Sequence, residues 1–514
     1  MDYEKIPAEQ FAFVQESEKL RDQKLQTKAR SYFADAMIRF RKNKSSVVAF
    51  GILVFLVLYA VFVPIFSPYT ADDKDPMYVS FPAFNPKMAQ YGFLNGAKTY
   101  DSQNDVAMSI WKGIALETGM DPVIRVLGTH ETEVIQRGQT VMRTTYDIEV
   151  NAYYAMGILY RNFNYQDFQK IQDWQDETGI QVIYPYASLE DIYPDMSANA
   201  LKNVAENPNI WYQMNNDNSP KLDADGNYIP AYSTRADRAG AEYTSLRLPN
   251  DPGDWVYSTA KAGSVQCRIL YYNYYIYLNG HEPSYLMGTN VMGLDLFTAI
   301  GLGARFSLIF AVLVSAINLT IGAIYGAVQG YYGGMIDMTL DRISDILSGV
   351  PFVVVTVLFQ LHLAQKVGVL GSFLFAFVLT GWISMAALTR KQFYRFKGQE
   401  FVMAARTLGA PDRRLMFKHI FPNAIGTIIT SCALVIPGVI SSETSMTYLG
   451  IVNLSTYAGT TIGTLLSQGN GAATTAPHAM LWPSVFLGLL MISFNLFGNG
   501  LRDAINPTTR GVDD

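Results

Sequence analysis

Six stretches of about twenty apolar residues limit what this 514-residue chain can become. A hydrocarbon core of about 30 Å takes about 20 residues of helix to cross. The stretches lie at about 46–67, 304–329, 346–364, 369–389, 424–442 and 481–500. The first carries no charge from Ser45 to Ala71. It starts too late and runs too long for a signal peptide, and it ends in VPIFSPYT rather than a small-residue cleavage site. Only a few residues around Lys366 separate the third stretch from the fourth, which predicts a tight hairpin. The expectation is an all-α polytopic membrane protein of six transmembrane helices.

Lysine and arginine set the orientation. Residues 1–44 carry ten of them, 390–418 carry eight, and 444–480 carry none. Six spans with the N-terminus inside put both basic segments and the C-terminus (Arg502, Arg510) in the cytoplasm of a plasma-membrane protein. Within the cytoplasmic segment 1–45, Tyr32, Phe33, Ala36, Met37 and Phe40 form the stripe of an amphipathic surface helix. Arg39, Arg41, Lys42 and Lys44 cluster at its end, where they would meet membrane lipids.

The same topology puts more than 200 residues outside, between the first and second spans. This insert, about 70–290, is acidic: 28 Asp and Glu stand against 16 Lys and Arg over 70–300. Its aromatic and β-branched residues argue for a packed domain. VIRVLG (123–128), TVMRTTYDIEV (140–150) and SVQCRILYYNYYIYL (264–278) alternate as strands do, whereas 164–178 and 189–205 read as helices. An inserted α+β extracellular domain is expected. His130-Glu131 and His281-Glu282 are isolated pairs. NNDNSPKLDADGNY (215–228) lacks the closing glutamate of a calcium loop and reads as a plain turn. Cys267 and Cys432 fall in different compartments and cannot pair. Docking fits this domain better than catalysis.

The cytoplasmic loop 390–423 carries the most specific pattern. In EFVMAARTLGAPDRRLMFKHIFPN (400–423), Phe401, Ala404, Ala405 and Leu408 share one helical face. Gly409 suits the left-handed end of that helix. Pro411 suits the first turn of the next, and Pro422 its close. This segment resembles the EAA loop of ABC-importer permease subunits, which docks into the ATPase. Met403 replaces that signature's glutamate, although Glu400 lies one turn earlier. The resemblance implies that Glu400, Ala404, Ala405, Arg406, Gly409, Ala410, Pro411 and Pro422 transmit the ATPase's force.

The chain has no GxxxxGK[ST] phosphate cradle; GAKT (96–99) lacks the Gly-Lys step. ATP and Mg would therefore act through partner subunits, with no cofactor, metal or catalytic residue on this chain and no nucleic acid involved. Gradient-driven transport usually needs carboxylates inside the spans. The first four stretches and the sixth contain none; only Glu443, near the outer end of the fifth, qualifies. A membrane-anchored receptor or adhesin would leave five further spans unexplained.

Further motifs narrow the resemblance. RFRKNKSSVVAFGIL (39–53), GYYGGMIDMTLDRISDILSGVP (330–351), ISSETSMTYLG (440–450) and SFNLFGNGLRDAINPTTR (493–510) are similar to C-type permease subunits of oligopeptide and dipeptide ABC importers. That family's GTDxxGRD appears as GTNVMGLD (288–295), with Leu294 in place of the arginine. The permease core would run over 291–510. The resemblance implies a second homologous permease, two cytoplasmic ATPases, an extracellular peptide-binding protein and a peptide substrate. Within the chain, the fifth span is the expected pathway. Thr430, Ser431, Ser441 and Ser442 fit pore lining and helix–helix glue equally, Pro437 would kink it, and Glu443 would shape its outer mouth.

Overall fold

The structure, a computed structural model, describes residues 32–136, 139–234, 245–261, 263–455 and 459–505. Helix α1 (Tyr32–Lys42) leads into α2 (Lys44–Phe66), the first span. Of the expected α1 stripe, Ala36 and Phe40 are buried but Met37 is half exposed. Phe40 meets Phe497 edge-on, so α1 packs on the far end of the chain. Residues 1–31 of the expected cytoplasmic segment lie outside the described residues.

The insert holds two antiparallel sheets. In the first, β3 (Gln139–Asn151) lies between β1 (Ala97–Asn104) and β2 (Val123–Gln136). In the second, β7 (Ser264–Leu270) pairs with β4 (Ile158–Phe163), β5 (Ile183–Tyr184) and β6 (Ser258–Lys261). Helices α3 (Asp105–Thr118) and α4 (Tyr165–Thr178) end at Gly119 and Gly179 in the left-handed conformation.

Two expectations are corrected here. YYNYYIYL continues not as strand but as helix α5 (Tyr271–Asn279). Tyr271, Tyr272, Tyr274 and Tyr275 are buried together, a helical spacing that β-propensity masked. The helix expected over 189–205 survives only as turns at Leu189–Ile192 and Ala198–Leu201, with Pro194 between them.

An aromatic core replaces the disulfides this domain lacks. Tyr78 packs within 5.5 Å, ring centre to ring centre, of Tyr153, Tyr271 and Tyr275. Buried hydroxyls need partners. Tyr153 donates to Pro82 O (3.0 Å) and Tyr271 to Asp75 Oδ1 (2.8 Å). In the 215–228 segment, Asp223 accepts from Asp225 N and Asn227 N, so its carboxylate closes a turn.

The ends of the insert come together. Phe84 and Tyr285 exchange backbone hydrogen bonds (2.8 and 2.7 Å), and Ser80 N donates to Asn290 O. Thr289 Oγ1 donates to Tyr78 O. On the helical side, His478 Nε2 lies 3.1 Å from Thr289 O and Asn290 Nδ2 donates to Gln468.

The helical part begins with α6 (Leu296–Tyr332), capped by Asp295. Next come α7 (Gly334–Ser348) and α8 (Phe352–His362), which meet at a bend of 75°. The continuous span expected over 346–364 is therefore broken. Pro351 disfavours helix at the residue before it. α9 (Ala364–Gly381) follows after Leu363 alone, and Gly368 takes φ +80° inside it, which makes the turn expected near Lys366. α10 (Ile383–Phe396) continues from α9.

Within the 390–423 loop lies α11 (Glu400–Thr407); α12 (Phe421–Tyr448), α13 (Ile462–Gly471) and α14 (His478–Ile505) follow. Among the described residues five helices are long and apolar enough to cross a membrane, six if the bent pair is one span. α13 was not anticipated: a capping box at Thr461 starts it within the uncharged 444–480 loop.

Candidate coupling loop and pathway

The loop is built as two helical pieces around Gly409, whose φ of +82° is open to glycine at little cost. Pro411 stands one residue before the expected first turn, as the N-cap whose carbonyl accepts from Leu415 N (3.0 Å). The second piece does not close at Pro422. Asp412–Arg414 runs through a π-turn, Leu415–Ile420, directly into α12. Pro422 lies in the first turn of α12, where its missing N–H matters least.

The buried face of α11 also differs from the expected one. Val402 is fully buried and Ala405 and Ala410 partly so, packed with Ala327, Tyr331, Phe393, Leu415, Met416 and Ile420. Phe401 and Ala404 face outward, and Leu408 is 88% exposed. Met403 and Phe417 are exposed as well. The loop thus presents apolar side chains beside the basic Arg406, Arg413, Arg414 and Lys418. Glu400 is exposed at the start of α11.

Two anchors hold the loop and the adjoining helices. Tyr331, near the end of α6, donates to Asp412 Oδ1 (2.5 Å), and the Arg406 guanidinium lies 5.9 Å from the Tyr331 ring. Arg390 of α10 binds Asp337 (2.6 Å) and Asp341 (3.1 Å) of α7, and Tyr394 also donates to Asp337. If α7 and α8 together make the third span, that span carries three carboxylates, Asp337, Asp341 and Asp345. The expectation of carboxylate-free spans therefore fails for this pair. The aspartates at i, i+4, i+8 stand out in the sequence, but Arg390, 53 residues beyond Asp337, meets the first two only through the fold.

The residues expected to line the pathway divide. Glu443 is fully buried; its Oε2 accepts from Ser307 Oγ of α6 (2.8 Å) and from Thr444. It braces α12 against α6 and does not open onto an outer mouth, which corrects the expectation. A carboxylate inside a helix bundle needs such partners. Thr430 is also buried and bonds back to Gly426 O and Thr427 O. Pro437 is buried within a helix that stays continuous. Ser431 is half-buried, and Ser441 is exposed. Ser442 borders a cavity of about 330 Å³ shared with Asn318, Phe377, Thr380 and Gly438. The open side of α12 therefore runs through Gly438, Ser441 and Ser445.

Comparison with known proteins gives this arrangement its family. The family model "binding-protein-dependent transport system inner membrane component" matches residues 318–511, and that for the N-terminal transmembrane domain of oligopeptide transport permease C matches 31–85. The oligopeptide transport system permease protein OppC of Bacillus subtilis is 38% identical over 236 residues, covering 45% of this chain and 76% of that one. The chain belongs to the OppC/DppC family of permeases. The dipeptide permease DppC of B. subtilis is 35% identical over 224 residues (43% and 68% of the two chains). OppC of Haemophilus influenzae is 34% identical over 229 residues (45% and 72%). As an OppC/DppC-type permease the chain is a helical multi-pass membrane protein, and most of its insert lies in 86–317, between the two matched regions. Leu294, where the motif has arginine, is buried; its N–H donates to Asn290 Oδ1 (2.9 Å) in the turn that leads into α6.

Proposed function

We propose that this chain is a membrane-spanning subunit of an ATP-driven peptide importer, pairing with a second permease around the translocation pathway. Two cytoplasmic ATPases would hydrolyse ATP with Mg and drive it through the 400–423 loop. The observation that carries this reading is the exposed apolar surface on that loop, with Leu408 at its tip, fixed to α6 and α10 by a buried cluster. An adhesin has no use for such a surface.

The proposed orientation puts both termini and the coupling loop in the cytoplasm and the α+β insert outside. Exposed Ser441 and Ser445 of α12 would face the second permease or the peptide.

Leu408→Asp tests the coupling role. A side chain this exposed costs the fold at most about 0.5 kcal/mol when replaced. A charge there would be buried against the ATPase. The variant should express and insert normally, while ATPase co-purification and peptide-stimulated hydrolysis fall at least about tenfold. Normal recovery of the ATPases would refute the coupling assignment.

The insert would hold the extracellular peptide-binding protein over the pathway by adding contact surface, which raises its local concentration. Because the backbones of Phe84 and Tyr285 are already paired, joining Asn85 to Ser284 through a short linker removes the domain and keeps the neck. The joined chain should assemble but bind the peptide-binding protein more weakly, and salt should weaken binding to the intact chain. Unchanged affinity and uptake would assign the insert another role.

A further inference from the structure

Beside the end of α2 that leads into the insert, the chain forms a crevice of about 320 Å³. Its lining is of two kinds. Val63, Phe66, Leu286 and Phe297 are apolar; Asn85, His281, Ser284 and Asp295 are polar. Phe66 is 78% exposed and stacks on Phe62, so the crevice adjoins an uncovered apolar face of a span.

Asp295 is the unusual member. Its Oδ2 caps α6, accepting from Thr298 N (2.8 Å) and Thr298 Oγ1 (2.6 Å). Its Oδ1 is buried and has no partner among the described residues. A buried carboxylate oxygen left unpaired is costly, so a donor from outside the chain suits it. No lysine or arginine lines the crevice. Tyr69, stacked on Tyr285 and meeting His281 edge-on, forms one wall of the crevice. The surroundings are interfacial too. Asn85 N donates to Leu94 O, closing a loop on which Tyr91 and Phe93 are more than 70% exposed, and such aromatics settle at headgroup level.

We propose that this crevice holds the headgroup of an amine-bearing phospholipid from the adjoining leaflet, with its ammonium at Asp295 Oδ1 and its chains along Phe62 and Phe66. The site joins a lipid to the cap of α6 and to the neck of the insert at once.

The test uses the assembled transporter in nanodiscs of an anionic glycerophospholipid, doped with a photoactivatable phosphatidylethanolamine. Adducts should map to 63–69 and 281–297. Asp295→Asn should cut them about tenfold relative to adducts elsewhere on the chain. Leu286→Trp, which fills the crevice without touching the carboxylate, should do the same and serves if Asp295→Asn does not assemble. A choline-headgroup analogue, unable to donate to Asp295, should label more weakly. The proposal falls if these segments carry no adducts, if both variants label as the unaltered chain does, if the choline analogue labels equally, or if a free peptide displaces the lipid.

Discussion

Gly326→Leu should prevent the helical core from assembling. A Cβ at Gly326 would stand 2.2 Å from Ala386 O and 2.9 Å from Ala386 C. Those are backbone atoms of α10, which cannot swing aside as a side chain end can. The contact repeats one turn either way: a Cβ at Gly322 would stand 2.7 Å from Trp382 O, and one at Gly330 2.7 Å from Arg390 O. Between helices in lipid, close packing of small residues replaces the hydrophobic effect as the cohesive term. Gly326→Ala alone should cost about 1–3 kcal/mol by overpacking, and leucine more. Gly438→Ala, where a Cβ would meet nothing within 4 Å, is the matched control. Thermal melting of detergent-purified protein should separate the two. Equal melting of Gly326→Leu and the unaltered chain would mean that α6 and α10 do not pack as described.

The second large effect should come from Glu117→Ala in the insert. Glu117 and Arg268 form a buried ion pair, with side chains 1% and 0% exposed. The guanidinium donates to both carboxylate oxygens (2.9 and 3.0 Å), to Pro208 O and to Pro185 O. Tyr232 OH donates to Glu117 as well. Burial pushes the Glu117 carboxyl above its ordinary range, against the pull of Arg268. Removing one partner strands the other charge, at about 3–5 kcal/mol. The insert should then open to protease at temperatures where the helical part stays folded. A Glu117→Leu, Arg268→Met double replacement should recover much of the loss, since neither charge is stranded. Protease resistance in Glu117→Ala equal to that of the unaltered chain would show the pair to be dispensable.

How far the sequence could be read depended on the range of the interaction. Uncharged length and lysine–arginine bias are local, so five spans, the glycine turn at 409 and the Met403 departure were legible from residues alone. What escaped was decided by contact. Phe401 and Leu408 share a helical face with Ala405, but Val402 is the side chain that finds α6 and α10. Glu443 looked accessible because nothing near it in sequence announces Ser307, 136 residues away. The tyrosines of α5 have strand propensity, and only their joint burial against Tyr78 makes a helix of them. Asp337 and Arg390 needed a fold to bring them together.

One element links two surfaces that lie far apart. At 1.5 Å per residue, the 37 residues of α6 measure about 55 Å, well beyond the membrane's apolar thickness. Its first residue follows Asp295 at the foot of the insert; Tyr331, at its far end, holds Asp412 of the 400–423 loop. The helix is unbroken and contains no proline. It has the build of a stiff rod with a load at each end. A tilt imposed where a peptide-carrying partner would land would reach the proposed ATPase side without an intervening joint, and the glycine seam against α10 is the bearing on which that tilt would turn.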